Sequence, residues 1–257
     1  MILQLPLSCL CWPSNWFWEV DLFIPLHDDT PLKVIRFQFV TFAIIALNIG
    51  VFLFTGAFTS EAYQSSLADG FGLVPYEFVH VLEGQKHIGP IPEVLALITS
   101  MFLHGGWLHL LGNMIFLWVF ADNVEDAFGN IGFIFFYLLC GLIGGLTHVY
   151  MMQHSGQPLI GASGAVSGVL ASYLVLYPRA RVWILLFMRI PVPLPAFWVL
   201  GGWFVLQIIS LAASAPGQDV AWWAHIGGFC AGLALTLLFR NWLFNAAGRI
   251  DSHLPPA

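Results

Sequence analysis

The chain alternates long uncharged runs with short clusters of charge. From Phe37 to Ser60 there is no Asp, Glu, Lys or Arg. A helix needs about 20 apolar residues to cross a bilayer core, so this run predicts a first crossing. Residues 61–93 carry Glu61, Asp69, Glu77, Glu83, Lys86 and Glu93 and read as a long connection. The next uncharged stretch, 94–121, exceeds one crossing. Gly105-Gly106 divides it into a short interfacial helix over 94–103 and a second crossing over 107–120. Asp122, Glu125 and Asp126 then predict a turn, and a third crossing follows over 131–152. QHSGQP is a polar loop, and 162–177 is the fourth crossing. VWILLF, bracketed by Arg179, Arg181 and Arg189, is too short to cross, and Pro191, Pro193 and Pro195 forbid a helix there. The fifth crossing spans 196–213 and the sixth 221–239, closed by Arg240.

Composition agrees with this pattern. The 257 residues are 59% hydrophobic and 9% charged, against about 25% charged in soluble domains. Eight Lys and Arg residues cannot form the basic footprint of a nucleic-acid binder. The twenty-five Gly and eleven Trp fit close helix packing and interfacial anchoring in lipid. Cys140 and Cys230 lie in apolar runs and read as small filler, so no disulfide framework is expected.

Basic residues set the orientation. With a cytoplasmic N-terminus, Lys33, Arg36, Arg179, Arg181, Arg189, Arg240 and Arg249 fall inside and only Lys86 outside. The expected organisation is a cytoplasmic segment over 1–33, a six-helix all-α membrane domain over 34–245 and a cytoplasmic tail over 246–257. Residues 1–23 read as an extension outside the fold and IPLHDDTP as a short lead-in to the first crossing. Residues 1–23 lack the charged start of a signal peptide, and a compact chain without a targeting presequence is expected in a prokaryotic plasma membrane as a multi-pass protein with both termini cytoplasmic. The oligomeric state is left open.

All fourteen acidic residues lie outside the six runs. Intramembrane aspartyl proteolysis therefore has no carboxylate pair, and no HExxH zinc motif occurs. Proton-coupled transport also lacks its buried acids, and no repeated half suggests a transporter. No metal or cofactor is expected. What the runs do hold is histidine: His109, His148 and His225, with His104 just ahead of the second crossing. His148, near the end of its run, is expected to face headgroups. His225 lies six residues past Asp219, about 9 Å along a helix. The fourth run opens GASGAVSG, with Ser163 at a helix N-terminus. That hydroxyl is either an N-cap or a nucleophile favoured by the helix dipole. Ala224, Gly228 and Gly232 recur every four residues and match Gly164 and Gly168, which predicts close packing of the fourth and sixth helices. That packing brings Ser163 and His225 to one level. His109 and Asn113, four apart, share a face and can both donate hydrogen bonds, either to another helix or to an oxyanion.

Taken together, GASG (161–164), AHIGG (224–228) and HGGWLHLLGN (104–113) make the chain resemble the rhomboid family of intramembrane serine proteases over about residues 25–245. The resemblance implies a dyad in which Ser163 attacks a peptide carbonyl and His225 serves as base and then acid. It implies that His109, Asn113 and the Ser163 backbone N–H hold the oxyanion. It also implies transmembrane protein substrates that enter beside the fifth helix and a capping loop over 214–220. The chain departs from the family pattern in three places: residues 61–93 lack the Trp-Arg pair, Ser167 replaces an aromatic residue four after the nucleophile, and Val220 stands where Gly is common. Glu125 matches a common acidic position. The rival reading is a rhomboid-like protein that binds membrane clients without cutting them.

Overall fold

The computed structural model describes residues 23–86, 89–213 and 221–246. The expectations for residues 1–22, the 214–220 loop and the 247–257 tail lie outside these residues. Among the described residues eight helices and three strands occur in the order β1 (Phe23–Asp28), α1 (Phe39–Thr55), α2 (Glu61–Phe71), α3 (Pro75–Leu82), α4 (Glu93–Thr99), α5 (Trp107–Met151), α6 (Ser163–Leu176), β2 (Arg181–Leu186), β3 (Ile190–Pro195), α7 (Ala196–Ala213) and α8 (Trp222–Ala246). The architecture is a largely helical membrane bundle, with α5, α6 and α8 packed on one another at its centre.

Among the described residues three helices are long and apolar enough to cross a membrane: Trp107–Met151, Ala196–Ala213 and Trp222–Asn241. The first is broken at Gly129 (φ 71°, ψ 161°) and so forms two helical limbs. Helices α1 and α6 are apolar but shorter. The 14 residues of α6 span about 21 Å, against about 30 Å of hydrocarbon. Helix lengths alone therefore do not fix six crossings; that number rests on the placement of charge.

The expected turn at 122–126 is replaced by helix. Helix α5 continues through Asp122, Glu125 and Asp126, and the carboxylates of Glu125 and Asp126 accept from the backbone of another segment. Asp126 accepts from the backbone N–H groups of Lys33 (2.9 Å), Val34 (2.7 Å) and Ile35 (2.7 Å). Glu125 accepts from Val40 N (3.0 Å), Thr41 N (2.8 Å) and Thr41 Oγ1 (2.7 Å). Both carboxylates are buried, and together they fasten the entry into α1 to α5.

A three-stranded antiparallel sheet, β1-β2-β3, accompanies the bundle. The lead-in IPLHDDTP, residues 24–31, is thus more than a linker. Phe23 pairs with Leu186 and Asp28 with Val182, and Phe23 is buried edge-on against Phe116 of α5. The three prolines that forbid a helix suit β3, an edge strand. They alternate in IPVPLP, so their missing N–H groups share one side of the strand. Asp28 anchors this sheet to the bundle through a hydrogen bond from the Tyr173 hydroxyl of α6.

The long 61–93 connection folds into α2, α3 and the start of α4. Leu73 and Leu159 exchange backbone hydrogen bonds of 3.0 and 2.8 Å, tying this connection to the turn before α6. Leu73, Phe78, Ala96 and Leu97 bury against Val149 of α5. The expected short helix over 94–103 is α4, followed by a 3-10 turn at Ser100–Phe102.

Candidate active site

Ser163 is the first residue of α6, with Ala162 at the N-cap position and no side-chain cap. The N-cap role considered for Ser163 is therefore not the one it has. The first N–H groups of a helix have no acceptor within it, so the backbone around Ser163 presents donors and the positive dipole end. Gly161, two residues earlier, has φ 121°. A methyl group there would lie 2.5 Å from Nε2 of His109, and the Gly161 N–H donates to Ser100 O at 2.8 Å. Glycine at this position thus lets the His109 ring approach the turn that carries Ser163.

Helices α6 and α8 meet through their small residues, as their spacing predicts. A methyl group at Gly164 would lie 3.5 Å from the Ala224 carbonyl oxygen, and one at Gly228 would strike the Gly164 carbonyl. Gly232 stands in the same relation to Gly168. Gly144 of α5 completes the junction: a methyl there would lie 2.7 Å from Ala224 O. The immediate neighbours of Ser163 and His225 are thus in backbone contact. Ser163, Gly164 and Ala224 line one small cleft together with Ser100 and Gly161.

His225 is 2% exposed. Its Nδ1 lies 2.7 Å from Oε1 of Gln207 on α7, and its Nε2 has no hydrogen-bond partner. The ring sits between Trp203 of α7 (centroids 6.0 Å apart) and Trp222 of α8 (5.9 Å, edge-on). Ser167 supplies no ring; its hydroxyl donates to the Ser163 carbonyl at 2.6 Å. Asn113 is buried and donates to the His109 carbonyl at 2.9 Å. His104 packs edge-on against His109 with centroids 4.9 Å apart.

One residue beside His225 is not signalled by any motif of the sequence. Gln207 is fully buried, and the available signal was a lone amide in an otherwise apolar run, which is costly in lipid without a partner. His148 is 3% exposed, so the expectation that it faces headgroups is corrected. It lies one turn beyond Gly144, where α5 presses on α8. Among the described residues no group of three or more His, Cys, Asp or Glu side chains is arranged to hold a metal ion.

The family model for the Rhomboid domain matches residues 92–242. Rhomboid protein 1, mitochondrial, of Saccharomyces cerevisiae is 30% identical over 152 residues, covering 56% of this chain and 41% of that protein. Presenilin-associated rhomboid-like protein, mitochondrial, of Mus musculus is 29% identical over 153 residues, covering 56% and 38%. Inactive rhomboid protein 1 of Drosophila melanogaster is 33% identical over 84 residues, covering 33% and 6%. The matched part spans about two fifths of the length of the first two relatives. These names overturn the expected prokaryotic plasma membrane, because the yeast and mouse relatives are mitochondrial. A positive-charge bias marks one side of a bilayer without saying which bilayer it is, and compactness of a chain carries no information on compartment.

Proposed function

The chain belongs to the rhomboid family, and on that premise we propose that it is an intramembrane serine endopeptidase acting on transmembrane proteins through a Ser163–His225 dyad. In this reading Ser163 Oγ attacks the scissile carbonyl while His225 Nε2 takes the hydroxyl proton. The proton then passes to the leaving amine, and water, activated by the same imidazole, hydrolyses the acyl-enzyme. The oxyanion is held by the Ser163 backbone N–H with His109 and Asn113 as side-chain donors. The observation that carries the reading is the backbone contact of Gly164 with Ala224, which brings the serine and histidine ends of two helices together beside a free imidazole nitrogen. Names of the yeast and mouse relatives support a mitochondrial membrane as its location.

Co-expression with a panel of single-span membrane proteins tests this. Cleavage of at least one member that is lost in Ser163→Ala and in His225→Ala is the expected result. The likeness to Inactive rhomboid protein 1 favours a second reading, a client-binding protein. Capture of panel members without cleavage by the wild type supports that reading instead.

A further inference from the structure

We infer that Gln207 is the positioning residue for the His225 base, doing with a neutral amide on α7 what a carboxylate does in a serine protease triad; this rests on the dyad proposed above. The amide is fully buried in a helix whose outer face meets lipid, where an unpaired polar group is costly. Its two ends are used differently. Nε2 points back to the Trp203 carbonyl at 3.5 Å, and Oε1 lies 2.7 Å from His225 Nδ1. With its NH₂ end turned to a backbone acceptor, the amide offers the imidazole an acceptor only. His225 must then carry its proton on Nδ1, and Nε2 is left with a lone pair. Nε2 is also the ring nitrogen with no partner. A base needs this tautomer, and a wrong tautomer costs about 10⁴ in rate in the triad enzymes.

The same bond explains how the ring is oriented without an aromatic residue at position 167. Trp203 and Trp222 pack near the ring, tilted and edge-to-face, and Gln207 fixes its rotation. Phe204 and Phe229, stacked 3.9 Å apart, hold the two helices at this register. Orientation of the base is therefore tied to the seat of α7 on α8. A transmembrane substrate that displaced α7 there would release the base, so the geometry requires entry that leaves this contact in place. Of the titratable side chains, His109 beside Gly161 and His148, one turn beyond Gly144, lie on α5, which packs against α8. Helices α6, α7 and α8 contribute no carboxylate.

The test is the rate of inactivation by a fluorophosphonate probe, followed against pH in proteoliposomes for the wild type, Gln207→Leu and Gln207→Glu. Leucine removes the acceptor, and inactivation is expected to slow by at least about tenfold. Glutamate keeps an acceptor and adds a charge that favours imidazolium, so the acid limb of the profile is expected to move to higher pH with labelling retained above it. Gln207→Leu with the wild-type rate and profile overturns the inference. If the leucine variant does not fold, the Gln207→Glu profile decides: an unmoved acid limb overturns the inference, a moved one supports it. A folded wild type that is never labelled contradicts the protease reading itself, and the inference falls with it.

Discussion

Gly161 meets two demands that only glycine satisfies together. Its φ of 121° is strained for any residue with a side chain, and the space a methyl would fill belongs to the His109 ring. Gly161→Ala is therefore expected to cost about 1–3 kcal/mol in backbone strain and to push His109 away from Ser163. Thermal unfolding in detergent measures the first effect and probe inactivation the second, and wild-type labelling would detach His109 from the site. Asn113 is a different case, because one N–H of its amide already donates to the His109 carbonyl and only the other is left for an oxyanion. An oxyanion donor is worth about 10²–10³ in rate. With His109 sharing that role, Asn113→Ala is expected to slow cleavage less than this, by about 10–100-fold. A loss equal to that of Ser163→Ala would place Asn113 among the groups the fold depends on.

At the scale of elements, the glycines separate into two kinds. Gly228 faces the Gly164 carbonyl, whereas a methyl at Gly202 would meet nothing within 4 Å. Gly228→Val is expected to force α6 and α8 apart and abolish both labelling and the native melting transition. Gly202→Ala is expected to leave labelling intact and to gain about 0.5–1 kcal/mol of helix stability. Comparable melting temperatures for the two variants would contradict the α6–α8 contact. Glu125 is the other keystone, since it satisfies three donors at the start of α1. Hydrogen bonds to charged groups contribute about 1.5–3 kcal/mol each, so Glu125→Ala, which removes three of them, is expected to cost at least about 4.5 kcal/mol, read from the same melts. Elements of this kind differ in how far the sequence reveals them. The α6–α8 seam was legible because four-residue spacing of small side chains is itself the contact. The fifth helix was legible because prolines and a polar loop bound it at Ala196 and Ala213. The sheet was not, since FIPLHD and RVWILL are too short for periodicity to distinguish strand from linker and their pairing is non-local. Helix α5 ran past its acidic residues because their acceptors are used by a segment about 90 positions away, which no local pattern records. Gln207 went unread for the same reason: its meaning lies in His225, on another helix.

Across the whole molecule, charge decides sidedness. The sheet, its flanking turns and the segment before α1 carry Lys33, Arg36, Arg179, Arg181 and Arg189, while residues 61–93 carry Lys86 alone among Lys and Arg. Cysteines introduced at exposed Arg189 and Glu83 in a cysteine-free background are expected to react with an impermeant maleimide from opposite sides of sealed vesicles. Reaction of both from one side would contradict the orientation. The small cleft shared by Ser163 and Ala224 is the place where seam, sheet-anchored scaffold and polar side chains converge. The central claim is that the hydroxyl there is a nucleophile made reactive by His225. Mass-spectrometric mapping of the fluorophosphonate adduct on the membrane-embedded protein tests it most directly. The account predicts one phosphonylated serine, Ser163, in the wild type and none in folded His225→Ala; an adduct elsewhere, or none on a folded wild type, would contradict it.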